Sequence, residues 1–286
     1  MKVLVTGAAG RLGGVVAREA AGAGHEVVAL GRGDLDVTDR PAVDARVAAE
    51  RPGALINCVA YNDVDGAESA PETAVSVNAL GVLNLARAAA RAGAAFVHYS
   101  TDFVFDGEAD RPYRETDPPR PLNVYGQSKL LGEMFAADAA AHYVLRVESL
   151  FGGPLHGEGV WATSLGGIVR GIREGREVSV FADRTVSPSY AADVARATLA
   201  VIERRPAPGR YHCVNRGAAT WEAIAREAAR LLGADPRLVA VRAADVAMRA
   251  RRPLYCALAA DKLAAAGIEM RPWQDALGEW LSGADA

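Results

Sequence analysis

Cysteine is scarce in this chain. Cys58, Cys213 and Cys256 are far apart and odd in number. They cannot all pair with one another, so a reducing, cytoplasmic setting is expected. The five histidines show no metal-ligand spacing among themselves or with those cysteines, and no metal site is expected. No apolar run approaches the ~20 residues that a transmembrane helix needs. The apolar stretch in residues 1–7 is too short for a secretory signal. Neither sign of charge dominates. Lys and Arg number 32 and Asp and Glu 35, a formal net charge of −3. That balance offers no broad nucleic-acid face and no electrostatic membrane anchor. What is present is a globular composition, with hydrophobic residues at 50% of 286. The length suffices to bury a core without disulfides or metals. At ~150 residues per domain it suggests two domains, or one large α/β unit with an appended lobe.

The first half alternates short β-branched runs with Ala-rich stretches of helical spacing. Strands are expected at 2–6, 26–30, 54–59, 94–100 and 143–147, and helices at 11–23, 40–50, 71–92 and 124–140. Several strands are almost wholly apolar, as when helices cover both sheet faces. Strand and helix in strict alternation imply a parallel sheet with right-handed crossovers. The second half carries helices at 163–174, 190–203 and 220–232 and strands at 178–181 and 210–214, closing on a helix after Pro272-Trp273. Three arginines within 249–252 read as a solvated basic surface.

Gly7-Ala8-Ala9-Gly10-Arg11-Leu12-Gly13 lies between the first strand and the first helix. Glycines there let the backbone turn sharply and approach a pyrophosphate, which the helix N-terminus then faces. The spacing is one residue longer than the usual dinucleotide fingerprint, but its strand–helix context is the one that motif requires. After the second strand comes Leu30-Gly31-Arg32-Gly33-Asp34. Arg32 and Arg11 together could hold a 2′-phosphate, which predicts a preference for NADPH over NADH. Asp34 could compete for a free ribose, leaving NADH open.

Tyr125 and Lys129 are i and i+4 on one helix face. A phenol near pKa ~10 is a poor acid at neutral pH, and an ammonium one turn away stabilises its phenolate. The pair suits protonation of a carbonyl oxygen as hydride reaches its carbon. A hydroxyl to hold that oxygen is offered by Thr101, with Ser100 as the neighbouring alternative.

These residues resemble the extended short-chain dehydrogenase/reductases, and within them the dTDP-4-dehydrorhamnose reductase branch. The most specific segment is Ser100-Thr101-Asp102-Phe103-Val104-Phe105-Asp106-Gly107. It continues through Pro112-Tyr113, Glu115, Asp117 and Pro121-Leu122-Asn123-Val124-Tyr125-Gly126 to Ser128-Lys129. Leu35-Asp36-Val37-Thr38-Asp39, Asn57-Cys58-Val59-Ala60-Tyr61, Val77-Asn78-Ala79, Tyr190-Ala191, Arg252-Pro253 and Pro272-Trp273 match in the same order.

The resemblance implies a Rossmann-type doubly wound parallel sheet over 1–150. A smaller C-terminal α/β substrate lobe would span 151–286, with segments near 178–200 returning to the core. It implies that Thr101 polarises a C4 carbonyl, that Tyr125 protonates it, and that Lys129 tunes Tyr125 and holds the nicotinamide ribose. Gly7, Gly10, Arg11, Leu12 and Gly13 would hold the pyrophosphate, and Asp36 and Val37 the adenine. Cys58, Val59, Ala60 and Tyr61 would line the cofactor cleft. Asp102 would reach the sugar, and Arg184 is a candidate phosphate contact or an ion-pair partner. A nucleotide-sugar substrate and a homodimer are implied as partners.

The pattern departs in the substrate half. Arg146-Val147-Glu148-Ser149-Leu150 stands where the family has Arg-Thr-Ser-Trp, so Leu150, not a flat aromatic, is expected to face substrate. Tyr61-Asn62-Asp63 replaces Ala-Tyr-Thr, Thr163-Ser164 replaces Asn-Phe, and Arg184 replaces glutamine. The expected activity is reduction of the C4 keto group of a nucleotide-linked 4-keto-6-deoxy sugar. A cofactor-binding regulatory subunit resembling the β subunit of methionine adenosyltransferase is a second reading. It has no chemical need for Thr101, Tyr125 and Lys129. An epimerase or dehydratase is a third; Asp102-Phe103 lacks the Asp-Glu pair that resembles a dehydratase.

Overall fold

The computed structural model describes residues 1–153 and 163–283. Four units of strand then helix and a fifth strand build its first half. It opens with β1 (Lys2–Thr6), α1 (Arg11–Gly22), β2 (Glu26–Leu30), α2 (Arg40–Glu50) and β3 (Ala54–Asn57). A short α3 (Val64–Ala67) precedes α4 (Pro71–Val75) and α5 (Gly81–Ala92), then β4 (Ala95–Thr101), α6 (Val124–Ala136) and β5 (His142–Val147). The second half holds β6 (Leu150–Phe151), α7 (Ser164–Arg173), β7 (Glu177–Phe181), β8 (Thr185–Val186), β9 (Ser189–Tyr190) and α8 (Ala191–Arg204). It ends with β10 (Gly209–His212), β11 (Ala219–Thr220), α9 (Trp221–Leu232), β12 (Arg237–Val241), α10 (Asp261–Ala265) and α11 (Trp273–Gly283).

Six strands form one parallel sheet in the order β10-β5-β4-β3-β1-β2. Its apolar strands point alternate residues to opposite faces. Val3, Val5, Ile56, Val97 and Leu145 pack with Val15 and Val16 of α1 and Val194, Val201 and Ile202 of α8. Leu4, Leu55, Phe96 and Val144 pack on the other face with Val43 and Val47 of α2 and Val82 and Leu85 of α5. The order in which the chain adds strands reverses between β1 and β3, the switch point where open α/β sheets form a crevice. A second core gathers Phe151, Leu165, Ile168, Trp221, Ile224, Trp273 and Trp280. β7 contributes to this smaller assembly, whereas α8 and β10 belong to the large sheet and its cover.

Three features differ from the sequence expectation. Residues 71–92 are helical throughout, but Ser76–Leu80 form a π turn between α4 and α5. The helix from 124 stops at Ala136. β12, whose side chains are mostly exposed, pairs in parallel with β7. Its sequence has no buried alternation to announce a strand.

Candidate active site

A cleft of about 530 Å³ opens at the C-terminal ends of the central strands. Gly7, Gly10, Arg11, Leu12, Gly13, Arg32, Asp36, Val37, Cys58, Val59, Ala60, Tyr125, Lys129 and Leu150 line it, as do Ser100 and Thr163. The glycine turn is tight for steric reasons. Gly7 has φ +71°, and a Cβ there would lie 2.8 Å from the Cys58 carbonyl carbon. A Cβ on Gly13 would lie 2.2 Å from the Gly7 oxygen. Gly10 N donates to Gly7 O at 2.9 Å, and α1 starts at Arg11 with its N-terminal backbone at the cleft. Such a backbone cradle with a helix start fits a dinucleotide pyrophosphate. Arg11 Nη1 donates to Gly152 O at 3.2 Å, tying the turn to the chain after β5. At the far end Arg32 is exposed and lines the cleft. Asp34 Oδ2 accepts from Gly31 N at 2.8 Å within its own turn. Asp36 accepts from Thr38 N and Oγ1, which holds its carboxyl below the usual range.

The helix α6 delivers the phenol and the ammonium. Asn123 caps it, accepting from Gly126 N at 2.7 Å and donating to Arg251 O at 2.7 Å. Tyr125 is half-buried, edge-on to Phe103 at 5.7 Å. Burial, and then the Asp102 charge, push its hydroxyl well above the ordinary tyrosine range, while a hydrogen bond with Thr101 opposes them. Lys129 is 3% exposed and donates to Tyr99 O at 2.6 Å. Burial lowers its ammonium to about 8, and the charges of Glu133 and Cys58 pull the other way. Thr101 ends β4, donating to Asp102 Oδ1 at 2.8 Å and accepting from Phe103 N at 3.2 Å.

Four expected site residues fall outside the cleft wall. Tyr61 is held through its backbone, its N donating to Asn78 Oδ1 at 2.8 Å and its O accepting from Asn78 Nδ2 at 2.9 Å. Thr101 and Asp102 are buried just behind the wall, next to Tyr125. Arg184 is 8% exposed, donating to Pro253 O at 3.4 Å, with Phe181 stacked 5.4 Å away. Among the described residues it makes no salt bridge; its charge acts on the buried carboxyls of Asp102 and Glu148.

Several neighbours stand at the site although no role is expected of them, even where, as for Leu35, Asn57, Val77 and Asn78, they lie in segments that match the family pattern. Val77, on the π turn, and Leu35, Asn62 and Val147 also line the cleft. Asn78 donates to Ser128 Oγ at 2.9 Å, joining the π turn to α6. Asn57 accepts from Thr6 Oγ1 at 2.9 Å and Val59 N at 3.0 Å. Asp65 pairs with Arg252 at 2.7 Å. Arg252 is therefore not part of a free basic surface, and Arg249 hydrogen-bonds Ser69.

A parallel sheet with its crevice at the switch point, a glycine cradle, and a Thr, Tyr and Lys at the crevice define a short-chain dehydrogenase/reductase. Comparison with known proteins narrows this. Residues 1–285 match the family described as RmlD substrate binding domain, and the chain belongs to that family. It is 39% identical to a dTDP-4-dehydrorhamnose reductase of Streptomyces griseus over 96% of this chain and 91% of that protein. It is 37% identical to a dTDP-4-keto-6-deoxy-D-glucose reductase of Streptomyces niveus over 96% of this chain and 94% of that one. A crystal structure of dTDP-4-dehydrorhamnose reductase from Bacillus anthracis in complex with NADP superposes with a TM-score of 0.92. The two are 30% identical, and 99% of each chain is covered.

Proposed function

We propose that this protein is an NADPH-dependent reductase of the C4 keto group of a dTDP-linked 4-keto-6-deoxy sugar. The observation that carries the reading is the meeting of Tyr125 and Lys129 with the glycine cradle in one cleft, Thr101 directly behind. The N-terminal unit, residues 1–150, holds the cofactor, and 151–286 mainly holds the nucleotide sugar. Gly7, Gly10, Arg11, Leu12 and Gly13 surround the pyrophosphate. Arg32 with Arg11 faces the 2′-phosphate, and Asp36 and Val37 face the adenine. Cys58, Val59 and Ala60 line the path to the nicotinamide, with Tyr61 behind them. NADPH, when bound, supplies the hydride for the sugar C4.

The chain manages the proton. Tyr125 is protonated at neutral pH and has a proton to give to the oxygen on which negative charge develops. Burial and the Asp102 charge oppose its release, so the phenolate that forms needs the Lys129 ammonium beside it. Lys129 remains mostly charged at neutral pH, with its ammonium near about 8. One turn from Tyr125, it stabilises the phenolate that forms and holds the nicotinamide ribose. Thr101 orients the carbonyl oxygen, and Leu150, Asp102 and Arg184 belong to the sugar side. No described helix is long and apolar enough to cross a membrane. A cytoplasmic enzyme with three free thiols, acting as a homodimer, completes the reading; light scattering tests the dimer.

The deciding experiment follows NADPH absorbance with enzymatically generated dTDP-4-dehydrorhamnose. Tyr125→Phe is expected to lower kcat by roughly 10²–10⁴-fold while NADPH still binds. Near-normal turnover in that variant overturns the reading. NADPH binding without turnover on any nucleotide sugar would favour the regulatory-subunit alternative.

A further inference from the structure

Behind Thr101 lies a buried polar cluster that the reduction as described does not use. Asp102 is 4% exposed, Glu148 2% and Cys256 1%, and their ligand-type atoms lie within 4.8 Å of one another. Glu148 Oε2 accepts from Ser187 N at 2.7 Å. Its Oε1 is buried without a hydrogen-bond partner among the described residues. The Cys256 thiol contacts Asp102 and donates to Pro253 O at 3.4 Å. Arg184 is the nearby cation acting on both carboxyls, Tyr125 faces Asp102 from α6, and the Tyr255 phenol feels Glu148. Glu148 and Arg184 both stand in segments where the chain departs from its family pattern.

We propose that Asp102 and Glu148 form a carboxyl pair sharing one proton, and that this pair sets the direction in which the Thr101 hydroxyl donates. This rests on the role given above to Thr101. The charge count supports it. Two carboxyls, one proton and one guanidinium make a neutral cluster, whereas two carboxylates beside Arg184 would bury a net negative charge. Burial pushes Asp102 up to about 6, against a hydrogen bond from Thr101, the neighbouring Cys256 thiol and the Arg184 charge. It pushes Glu148 well above the carboxylate range, with the Asp102 charge adding to it.

Thr101 has one proton to give. Thr101 Oγ1 lies 2.8 Å from Asp102 Oδ1; when Asp102 is a carboxylate it takes that proton, and a hydroxyl so committed cannot donate to a substrate carbonyl. When the shared proton resides on Asp102, its carboxyl donates to Thr101 Oγ1. The Thr101 proton is then free to point at the carbonyl oxygen. Glu148 is thus a positioning residue: it keeps a proton available to Asp102 at a pH where a lone carboxyl beside arginine would have lost it.

The test is the pH profile of kcat at saturating NADPH for the wild type, Glu148→Gln and Arg184→Gln. In Glu148→Gln, Asp102 is left alone with Arg184 and ionises at lower pH. The limb of kcat that falls as pH rises should move down by about one unit or more. The expected loss is about tenfold at pH 7.5, recovered in acid. Arg184→Gln removes the cation and should move the same limb upward. If Glu148→Gln does not fold, the upward shift in Arg184→Gln carries the test. NADPH affinity should stay unchanged in both variants. A Glu148→Gln profile that superimposes on the wild type overturns the proposal, as do shifts of both variants in one direction. Tyr125→Phe run alongside separates the two readings. Normal turnover there defeats the reductase mechanism, while an inactive Tyr125→Phe with unshifted profiles defeats the carboxyl pair alone.

Discussion

The proposed preference for NADPH rests on single side chains at the end of β2. A carboxylate there would hold a ribose 2′-hydroxyl, and an arginine would accommodate a 2′-phosphate. The sequence offers both in Arg32 and Asp34, and their order alone does not say which one faces the cleft. The turn resolves it. Asp34 is engaged by Gly31 N at 2.8 Å, while Arg32 remains exposed on the cleft wall. A charge-assisted hydrogen bond of about 1.5 kcal/mol corresponds to about tenfold in affinity. Arg32→Ala should therefore lower kcat/KM for NADPH about tenfold and leave that for NADH nearly unchanged. Initial rates with both cofactors check this, and equal losses for the two would assign Arg32 to the surface alone.

At the scale of elements, α6 must present Tyr125 and Lys129 at one height above the sheet. Its start is fixed by Asn123, which satisfies Gly126 N and ties the helix to Arg251 O. Asn123→Ala removes both bonds and should cost about 1 kcal/mol as a lost cap, lowering Tm by roughly 2 °C or more. Because the cap sits two residues before Tyr125, kcat should fall further than the KM for NADPH rises. Asn123→Asp keeps the cap acceptor and loses only the donor to Arg251, so it should recover most of the stability. Thermal melts paired with kinetics on the two variants distinguish the cap from the tether. The sequence made this helix legible because Tyr125 and Lys129 share a face at i and i+4. It likewise showed the glycine turn, since strand, glycines and helix follow in unbroken order. The π turn at Ser76–Leu80 was hidden by apolar spacing that runs on without a break. Within it the Asn78 side chain bridges Tyr61 and Ser128, partners distant in sequence. Glu148 was equally illegible as a site residue: one carboxylate after a strand has meaning only once Asp102, Cys256 and Arg184 are brought around it by separate segments.

At the scale of the whole molecule, a buried polar chain binds the sheet to the segment that follows α9. Ser100 of β4 donates to Glu133 of α6 at 2.6 Å, and Arg146 of β5 grips both Glu133 oxygens at 2.7 Å. Arg146 Nη1 in turn lies 3.3 Å from His212 Nε2 on β10, and His212 Nδ1 lies 3.1 Å from Ala259 O. This geometry requires a neutral imidazole, with Nδ1–H donating to the carbonyl and Nε2 accepting from the guanidinium. Burial, and then the Arg146 charge, push His212 down to about 3. The unfolded chain binds that proton near the ordinary value of ~6.5. His212 therefore contributes its full stability above pH ~6.5, and the contribution is lost as pH falls from there toward about 3. The slope approaches about 1.4 kcal/mol per pH unit for one group. His98, also lowered by burial, adds in the same direction, whereas the raised carboxyls of Asp102 and Glu148 oppose it. Asp65 and Asp117, held at about 2 by hydrogen bonds from Arg252 and Arg111, matter only below about pH 4. Comparison with His212→Gln isolates the imidazole, since the other groups are common to both proteins. Glutamine can donate and accept at this site without taking up a proton. The variant should be less stable than wild type at pH 7.5, yet lose stability less steeply between pH 6.5 and 4. Urea unfolding across that range measures both slopes, and parallel curves would show that His212 does not couple the closing of the sheet to pH.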